Sequence, residues 1–457
     1  MIGDKQFDEK RDKMAAIVES GLPLKGWGKR HTVFLAIILT NFIVWLDDAI
    51  FGTLTPYWGK AFELSTPQIA SVSSAYLLGY FPFLFIAGIL ADRIGAKRLL
   101  VTCLLGCTII SASTIFVNDY SQIWWRNLIF GMFFGLLWAP CNRILAMWFP
   151  ANERVRYTAL WFSSTMAAFA LAGPIGLTIA GIFTWKASFL TVTFLGLPIL
   201  LFFAIAVKDR PEHDQKISKQ ELMFIKAGTP TSESQDDKFE WSHLKAALKN
   251  PSVYTMAIAA GLATTPNWLA TTWGSTGLMN GFKVSPSTAG VIISLMYAIP
   301  MLLGFTNGWV VNKLCKGNTR AALAIGPAIG GISFILASFF VPNYIVYSLL
   351  VYGIAAVSNV YFWGTINVYW SGIARPEVIG TLNGLGSALQ VAFGYELVSL
   401  SGGWVDSTAT GAEAFSKVWL IGGIVFLATI VLIYLSKEVV LGKQQTSEQD
   451  KNVGNAM

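Results

Sequence analysis

The sequence predicts an all-α membrane protein, twelve transmembrane helices arranged as two pseudo-symmetric six-helix halves. Three observations carry this reading. Of the 457 residues, 54% are hydrophobic and only 13% charged, where a soluble domain carries about 25% charged residues. The apolar runs approach or exceed the roughly 20 residues that span a hydrocarbon core of about 30 Å. Basic residues also alternate between successive connections, as topology signals do.

The spans run in order over about 33–58, 68–91, 98–117, 121–149, 155–183, 187–207, 252–276, 285–311, 321–341, 344–370, 378–404 and 416–436. Several contain Gly or Pro, which membrane helices tolerate where neighbours satisfy the freed backbone groups. The abundance of Phe (31) and Trp (17) suits helices with interfacial aromatic anchors. The first thirty residues lack the short apolar core and small-residue cleavage site of a signal peptide, so the first span is expected to act as its own insertion signal.

Placing the amino terminus in the cytoplasm puts Lys25, Lys29 and Arg30 inside. It also puts Arg93, Lys97 and Arg98, Arg154 and Arg156, the long 208–250 segment, and Lys313, Lys316 and Arg320 on that side. The opposite connections carry Lys60, Lys186, Lys283 and Lys417, at most one each. An even number of helices with both termini cytoplasmic follows, in the plasma or inner membrane. The expected organisation is a tail over 1–32, a six-helix half over 33–207, a central cytoplasmic loop over 208–250, a second half over 251–436 and a tail over 437–457.

The net charge of +7 is dispersed among these short loops, so it points to topology rather than to a nucleic-acid surface. Cys103, Cys107 and Cys141 fall in apolar spans and Cys315 in a basic loop, without disulfide or metal spacing. No phosphate-binding glycine loop, metal cluster or nucleophile–base pair stands out, which disfavours an ATP-driven pump or an enzyme. Runs such as Gly326-Pro327-Ala328-Ile329-Gly330-Gly331 read as close helix packing.

The chemistry concentrates in the first span. Thr40–Gly52 is apolar except for adjacent Asp47 and Asp48, with fourteen uncharged residues from Val33 before them. At about 1.5 Å per residue, Asp47 lies roughly 20 Å into the core. A charge at that depth costs about 2.5–3.5 kcal/mol even on the lenient insertion scale. Neighbouring carboxylates also repel, so one of the two is expected to hold a proton part of the time, as a proton-coupled transporter requires. The competing reading is a pair at a water-filled mouth. Arg126 in the fourth span lies at similar depth. Tyr76, Tyr80, Asn41, Asn142, Asn359, Asn367, Gln390 and Glu396 are further polar residues within spans, with Trp45, Trp138 and Trp363 available to stack on a ring. A 220-residue offset carries Gly88–Arg93 onto Gly308–Lys313 and Asp47 onto Asn267, within Thr264-Thr265-Pro266-Asn267. Parallel repeats with polar residues at matching depth suggest a central site opened alternately to either side.

Gly88-Ile89-Leu90-Ala91-Asp92-Arg93-Ile94-Gly95-Ala96-Lys97-Arg98 resembles the signature loop of the major facilitator superfamily. The resemblance implies a latch on the cytoplasmic side, with Gly88, Asp92, Arg93, Gly95 and Arg98 in gating and Arg143 beside them. A narrower resemblance, to the anion:cation symporter family that includes hexuronate and galactonate carriers, rests on three stretches. They are Trp148-Phe149-Pro150 with Glu153-Arg154, Asp209-Arg210-Pro211-Glu212-His213 with Ile217-Ser218 and Glu221-Leu222, and Asn250-Pro251-Ser252-Val253. Ile217–Lys226 is expected to form a short amphipathic helix. Gly173-Pro174 is similar to a fragment of the superfamily's antiporter motif but falls short of the pattern, and a packing kink explains it better.

The departures concern the site. Sugar-acid carriers of that family have Asp-Arg in the first helix and a Glu in the fourth; here the pair is Asp47-Asp48, and no Glu lies along Phe133–Trp138. Three readings of Arg126 stay open. It clamps a substrate carboxylate or sulfonate while an aspartate takes a proton. Alternatively, an aspartate neutralises it, leaving one acid for a cationic, zwitterionic or polyol substrate. In the third, it reaches the outer interface. The resemblance implies proton-coupled symport of a small organic anion; the alternatives are a carrier or exchanger of a neutral, zwitterionic or cationic solute, and a membrane receptor that binds without translocating. Depth and residue type make Asp47 and Asp48 the candidate coupling acids and Arg126, Tyr76, Asn267, Gln390 and Trp363 the candidate substrate contacts. No cofactor is expected beyond the proton, with sodium open as the coupling ion. The expected partners are the substrate and the bilayer, with no nucleic acid, and the expected state is a monomer.

Overall fold

The computed structural model describes residues 26–227, 241–304, 306–339, 343–374, 376–406, 408–409 and 411–440; the Asp92, Arg154, Arg156 and Asn367 side chains lie outside what is described. The described residues are helical almost throughout, with one isolated bridge between Asn318 and Val440.

The first half contains α1 (Lys29–Thr53), α2 (Thr66–Ile94), α3 (Ala96–Ser113, prolonged by a 3-10 turn over Thr114–Phe116) and α4 (Tyr120–Phe134 and Trp138–Trp148). It is completed by α5 (Ala151–Ile182) and α6 (Trp185–Ala206). The second contains α7 (Pro251–Leu262 and Asn267–Thr276), α8 (Pro286–Gly304), α9 (Thr319–Phe339), α10 (Tyr344–Ser348, a π turn, then Val357–Ile373), α11 (Pro376–Ser401) and α12 (Ser416–Leu435). Among the described residues, nine helices are long and apolar enough to cross a membrane. The other three expected spans are helical too, as α2, the two pieces of α7, and α11.

Local chemistry sets the helix starts. Ser65 opens α2, its N–H donating to Gln68 Oε1 at 3.0 Å. Asp119 caps α4 by accepting from the Gln122 N–H at 2.9 Å, and Asn250 caps α7 at Ser252, ahead of Pro251. The α2–α3 turn depends on Gly95, whose φ of +94° lies in the left-handed region. The central segment carries a helix over Lys219–Ala227.

Within each half, α1 packs on α5 and α6, α2 on α4, and α9 on α12; between halves, α2 packs on α11 and α5 on α8. Call the end that carries Lys29, Arg98 and Lys208 the basic face. The close approaches between halves cluster at the opposite end. A Cβ on Gly173 would lie 2.7 Å from the Gly290 carbonyl oxygen, one on Gly52 2.9 Å from that of Thr271, and one on Gly402 2.5 Å from that of Thr66. Gly173 is thus where α5 crosses α8. On the basic face, the described polar contacts stay within one half and its adjoining loop.

Candidate functional site

Successive residues of a helix point about 100° apart, so Asp47 and Asp48 leave α1 in different directions. Asp47 turns into the first half and is 1% exposed. Its Oδ1 accepts from Arg126 Nη2 at 2.7 Å. Arg126 Nε donates to Thr114 Oγ1 at 3.1 Å and Nη1 to Asn127 Oδ1 at 3.4 Å. The rings of Phe51, Phe130 and Phe189 lie 4.8–5.0 Å from the guanidinium carbon, so cation–π attraction supplements the ion pair. Arg126 is therefore walled in, its side chain 2% exposed. This geometry runs against the anion-clamp and outer-interface expectations, because Asp47 already occupies the guanidinium.

Asp48 is half-buried, and no described cation pairs with it. It lies within electrostatic reach of Tyr76 and Tyr80 on α2 and of Tyr297 on α8. The two α2 tyrosines are positioned by glycines. A Cβ on Gly131 would strike the Tyr76 carbonyl, and one on Gly79 that of Leu128, so α2 and α4 touch backbone to backbone. That contact seats Tyr76 and Tyr80 edge-on against Phe134 at 6.2 and 5.2 Å, and Trp45 meets the same ring at 4.8 Å. From the second half, Tyr297 stacks on Phe169 at 5.3 Å and meets Tyr352 edge-on at 5.6 Å. Phenol-bearing side chains of both halves thus lie within electrostatic reach of a carboxylate that has no described ion-pair partner.

The second half places a polar cluster where α7 breaks. Pro266 has no N–H to donate, and the helix resumes at Asn267. Gln390 Nε2, from α11, donates to Thr264 Oγ1 at 2.6 Å, and Asn267 Nδ2 donates to the Thr264 carbonyl at 3.2 Å. The Thr265 hydroxyl turns back to the Gly261 carbonyl. Trp363 instead packs against an apolar cluster that includes Val253, Phe362 and Ile366.

On the basic face, Gly95 meets Asp209. The Lys97 N–H donates to Asp209 Oδ1 at 2.7 Å, and a Cβ on Gly95 would lie 3.0 Å from that carboxylate. Asp209 therefore caps α3. Gly88 has open space around it, Arg93 and Arg98 are exposed, and Arg143 is half-buried. Glu221 caps α1 in the same manner, accepting from the Lys29 and Arg30 N–H groups at 2.9 Å each. The Arg30 guanidinium, nearly fully buried, reaches Glu153 at 3.3 Å and Glu221 at 3.7 Å, and Lys29 pairs with Asp214 at 3.2 Å.

Comparison with known proteins bears on this architecture. Residues 37–395 match the Major Facilitator Superfamily. The chain belongs to that superfamily. Among curated relatives, a hexuronate transporter of Bacillus subtilis (strain 168) is 25% identical over 431 residues, 92% of this chain and 98% of that protein. A putative tartrate transporter of Agrobacterium vitis is 23% identical over 420 residues, 88% and 92% of the two chains. A probable galactarate/D-glucarate transporter of Bacillus subtilis (strain 168) is 25% identical over 398 residues, 81% and 84%. An inward-open xylose transporter from E. coli superposes with a TM-score of 0.70 at 14% identity, covering 91% of this chain and 98% of that one. A nucleoside transporter gives 0.66 at 17%, covering 88% and 99%. This superfamily member is a multi-pass membrane transporter and not an enzyme.

Of the residues read from the sequence, the structure brings Asp47 to Arg126, Tyr76 to Asp48, and Asn267 and Gln390 to Thr264. Asn41 instead ties α1 to α5 through Ser164 and Thr165 at 2.8 and 2.9 Å, and Glu396 is exposed. Tyr297, Thr264, Asp209 and Glu221 were not read as site residues. Tyr297 carries the same signal as Tyr76, a hydroxyl inside an apolar span. The other three act through backbone and partner positions that only the fold supplies.

Proposed function

We propose that this transporter couples proton movement to a small, hydroxyl-bearing organic anion, with Asp48 as the proton carrier. The observation that carries the reading is the closed Asp47–Arg126 pair beside an unpaired Asp48. Two carboxylates and one guanidinium leave one negative charge, and carrying an unbalanced charge through an occluded, dry state is costly. The loaded site is favoured when its charges cancel. The Asp47–Arg126 pair cancels itself, one proton on Asp48 neutralises the remaining acid, and a monoanion then requires a second proton travelling with it. Tyr76, Tyr80, Tyr297 and the Thr264–Asn267–Gln390 cluster supply hydrogen bonds to substrate hydroxyls. The relatives named for hexuronate, tartrate and galactarate/D-glucarate support an acid of this kind. The two halves rock about this centre, the basic face toward the cytoplasm, in the cell membrane and as a monomer.

A second reading draws on the same lone acid. A neutral solute needs one proton, and a cation needs none, replacing the proton in an exchange. Sodium could stand in the proton's place at Asp48. Reversal-potential measurements in liposomes separate these cases. The anion reading expects two protons per substrate, uptake that rises as the external pH falls, and proton-driven accumulation lost in Asp48→Asn while exchange survives. A substrate whose affinity rises with pH and disappears in Asp48→Asn would overturn it in favour of a cation. Replacing the sodium gradient at constant pH tests the coupling ion directly.

A further inference from the structure

On the lipid-facing side of the first half, the starts of α3 and of the central segment form an open groove of about 640 Å³ lined by Lys97, Arg98, Lys208 and His213 together with Asp209. No described carboxylate lies within ion-pair distance of any of these four basic side chains. Asp209, the acid in the groove, already accepts the Lys97 N–H at 2.7 Å. The two lysines project from fixed positions. Lys97 follows the capped start of α3, and the Lys208 carbonyl accepts the Trp148 indole N–H at 2.9 Å. Lys97 and Lys208 also lie within each other's electrostatic reach, and the Asp209 and Asp214 carboxylates offset part of that positive charge without pairing directly with either lysine.

The surface beyond the groove has the complementary chemistry. Along α3, Val101, Leu105 and Ile109 follow at four-residue spacing, with Leu105 42% and Ile109 55% exposed. Along α6, Leu201 and Ile205 are 63% and 73% exposed, one turn apart and directly before Lys208. Because α3 packs against α6, the two apolar ladders run side by side away from the cationic end. A soluble anion would use only that end.

We propose that this groove holds an anionic phospholipid, its phosphate among Lys97, Arg98, Lys208 and His213 and its acyl chains along the α3–α6 ladders. The lipid would bridge the α2–α3 turn to the central segment, two parts of the chain otherwise joined there through Asp209. Basic pockets between helices near the membrane surface suit such headgroups.

The test is native mass spectrometry of the full-length protein in detergent, titrated with phosphatidylglycerol, phosphatidylcholine or inorganic phosphate. Lys208→Gln and His213→Gln are the variants, since both side chains are exposed; Lys316→Gln, in the second half, is the control. Phosphatidylglycerol is expected to bind more tightly than phosphatidylcholine, and Lys208→Gln to weaken it about fivefold, the equivalent of about 1 kcal/mol. Lys316→Gln leaves binding unchanged. Equal binding of phosphatidylcholine, phosphatidylglycerol binding indifferent to both variants, or inorganic phosphate that displaces the lipid at similar concentration would each overturn the proposal.

Discussion

In the first half, the apolar interior is interrupted by charge on continuous helix: α1 runs unbroken through Asp47 and Asp48. In the second half, the position offset by 220 residues is Asn267. There the helix itself is interrupted, and amides and hydroxyls gather around Thr264. An ion pair on rigid helices has one good geometry and holds it. Neutral donors at an unwound turn can re-pair at modest cost, since each hydrogen bond is worth about 0.5–1.5 kcal/mol net. The contrast assigns fixed electrostatics and the titrating acid to the first half, and adaptable hydrogen bonding to the second.

The strongest way to break that contrast is Arg126→Gln. Removing one partner of a buried pair leaves the other charge uncompensated and costs about 3–5 kcal/mol. The apparent melting temperature in detergent should fall sharply, and Asp47→Asn added to Arg126→Gln should recover most of the loss. A single variant that melts normally but no longer binds an organic acid would return Arg126 to the role of clamp.

A smaller effect is expected where the halves meet. Gly290→Ala would put its Cβ 2.6 Å from the Gly173 carbonyl oxygen, so α5 and α8 must separate, at about 1–3 kcal/mol for overpacking. Gly176→Ala, on the same α5, meets only ordinary contacts with Ile50 at 3.4 Å. The first variant should lower thermal stability and the second should not. Equal behaviour would mean that the Gly173–Gly290 approach does not hold the far end closed.

Much of this architecture was legible in the sequence because the bilayer enforces simple rules: span length, loop charge and the cost of an intramembrane acid. Asp47, Asp48 and Arg126 stood out on depth alone. Depth could not say which aspartate faces which way, since that depends on a 100° rotation and on how α1 packs against α4. The sequence therefore left Arg126 between clamp and partner, and the fold placed it beside Asp47. The basic face was read from its signature loop, yet Asp209 and Glu221 work by capping helices 112 and 192 residues away. A carboxylate's reach to a distant backbone N–H leaves no local pattern. Trp363 illustrates the converse, since aromatic type and depth suggested a ring platform where the fold built a core contact.

The smallest effect, and the sharpest on the second half, belongs to Gln390→Ala. Its amide holds Thr264 Oγ1 at 2.6 Å across α7 and α11, and the lost bond is worth about 0.5–1.5 kcal/mol. If that cluster hydrogen-bonds substrate, affinity should weaken by about two- to tenfold, with the pH dependence of uptake unchanged because Asp48 is untouched. If the cluster only splints the α7 break, the melting temperature should drop while affinity holds. A shift in the pH profile would be the most disruptive result. It would mean that the neutral cluster and the lone acid act as one unit, and that division of labour between the halves does not describe how the site works.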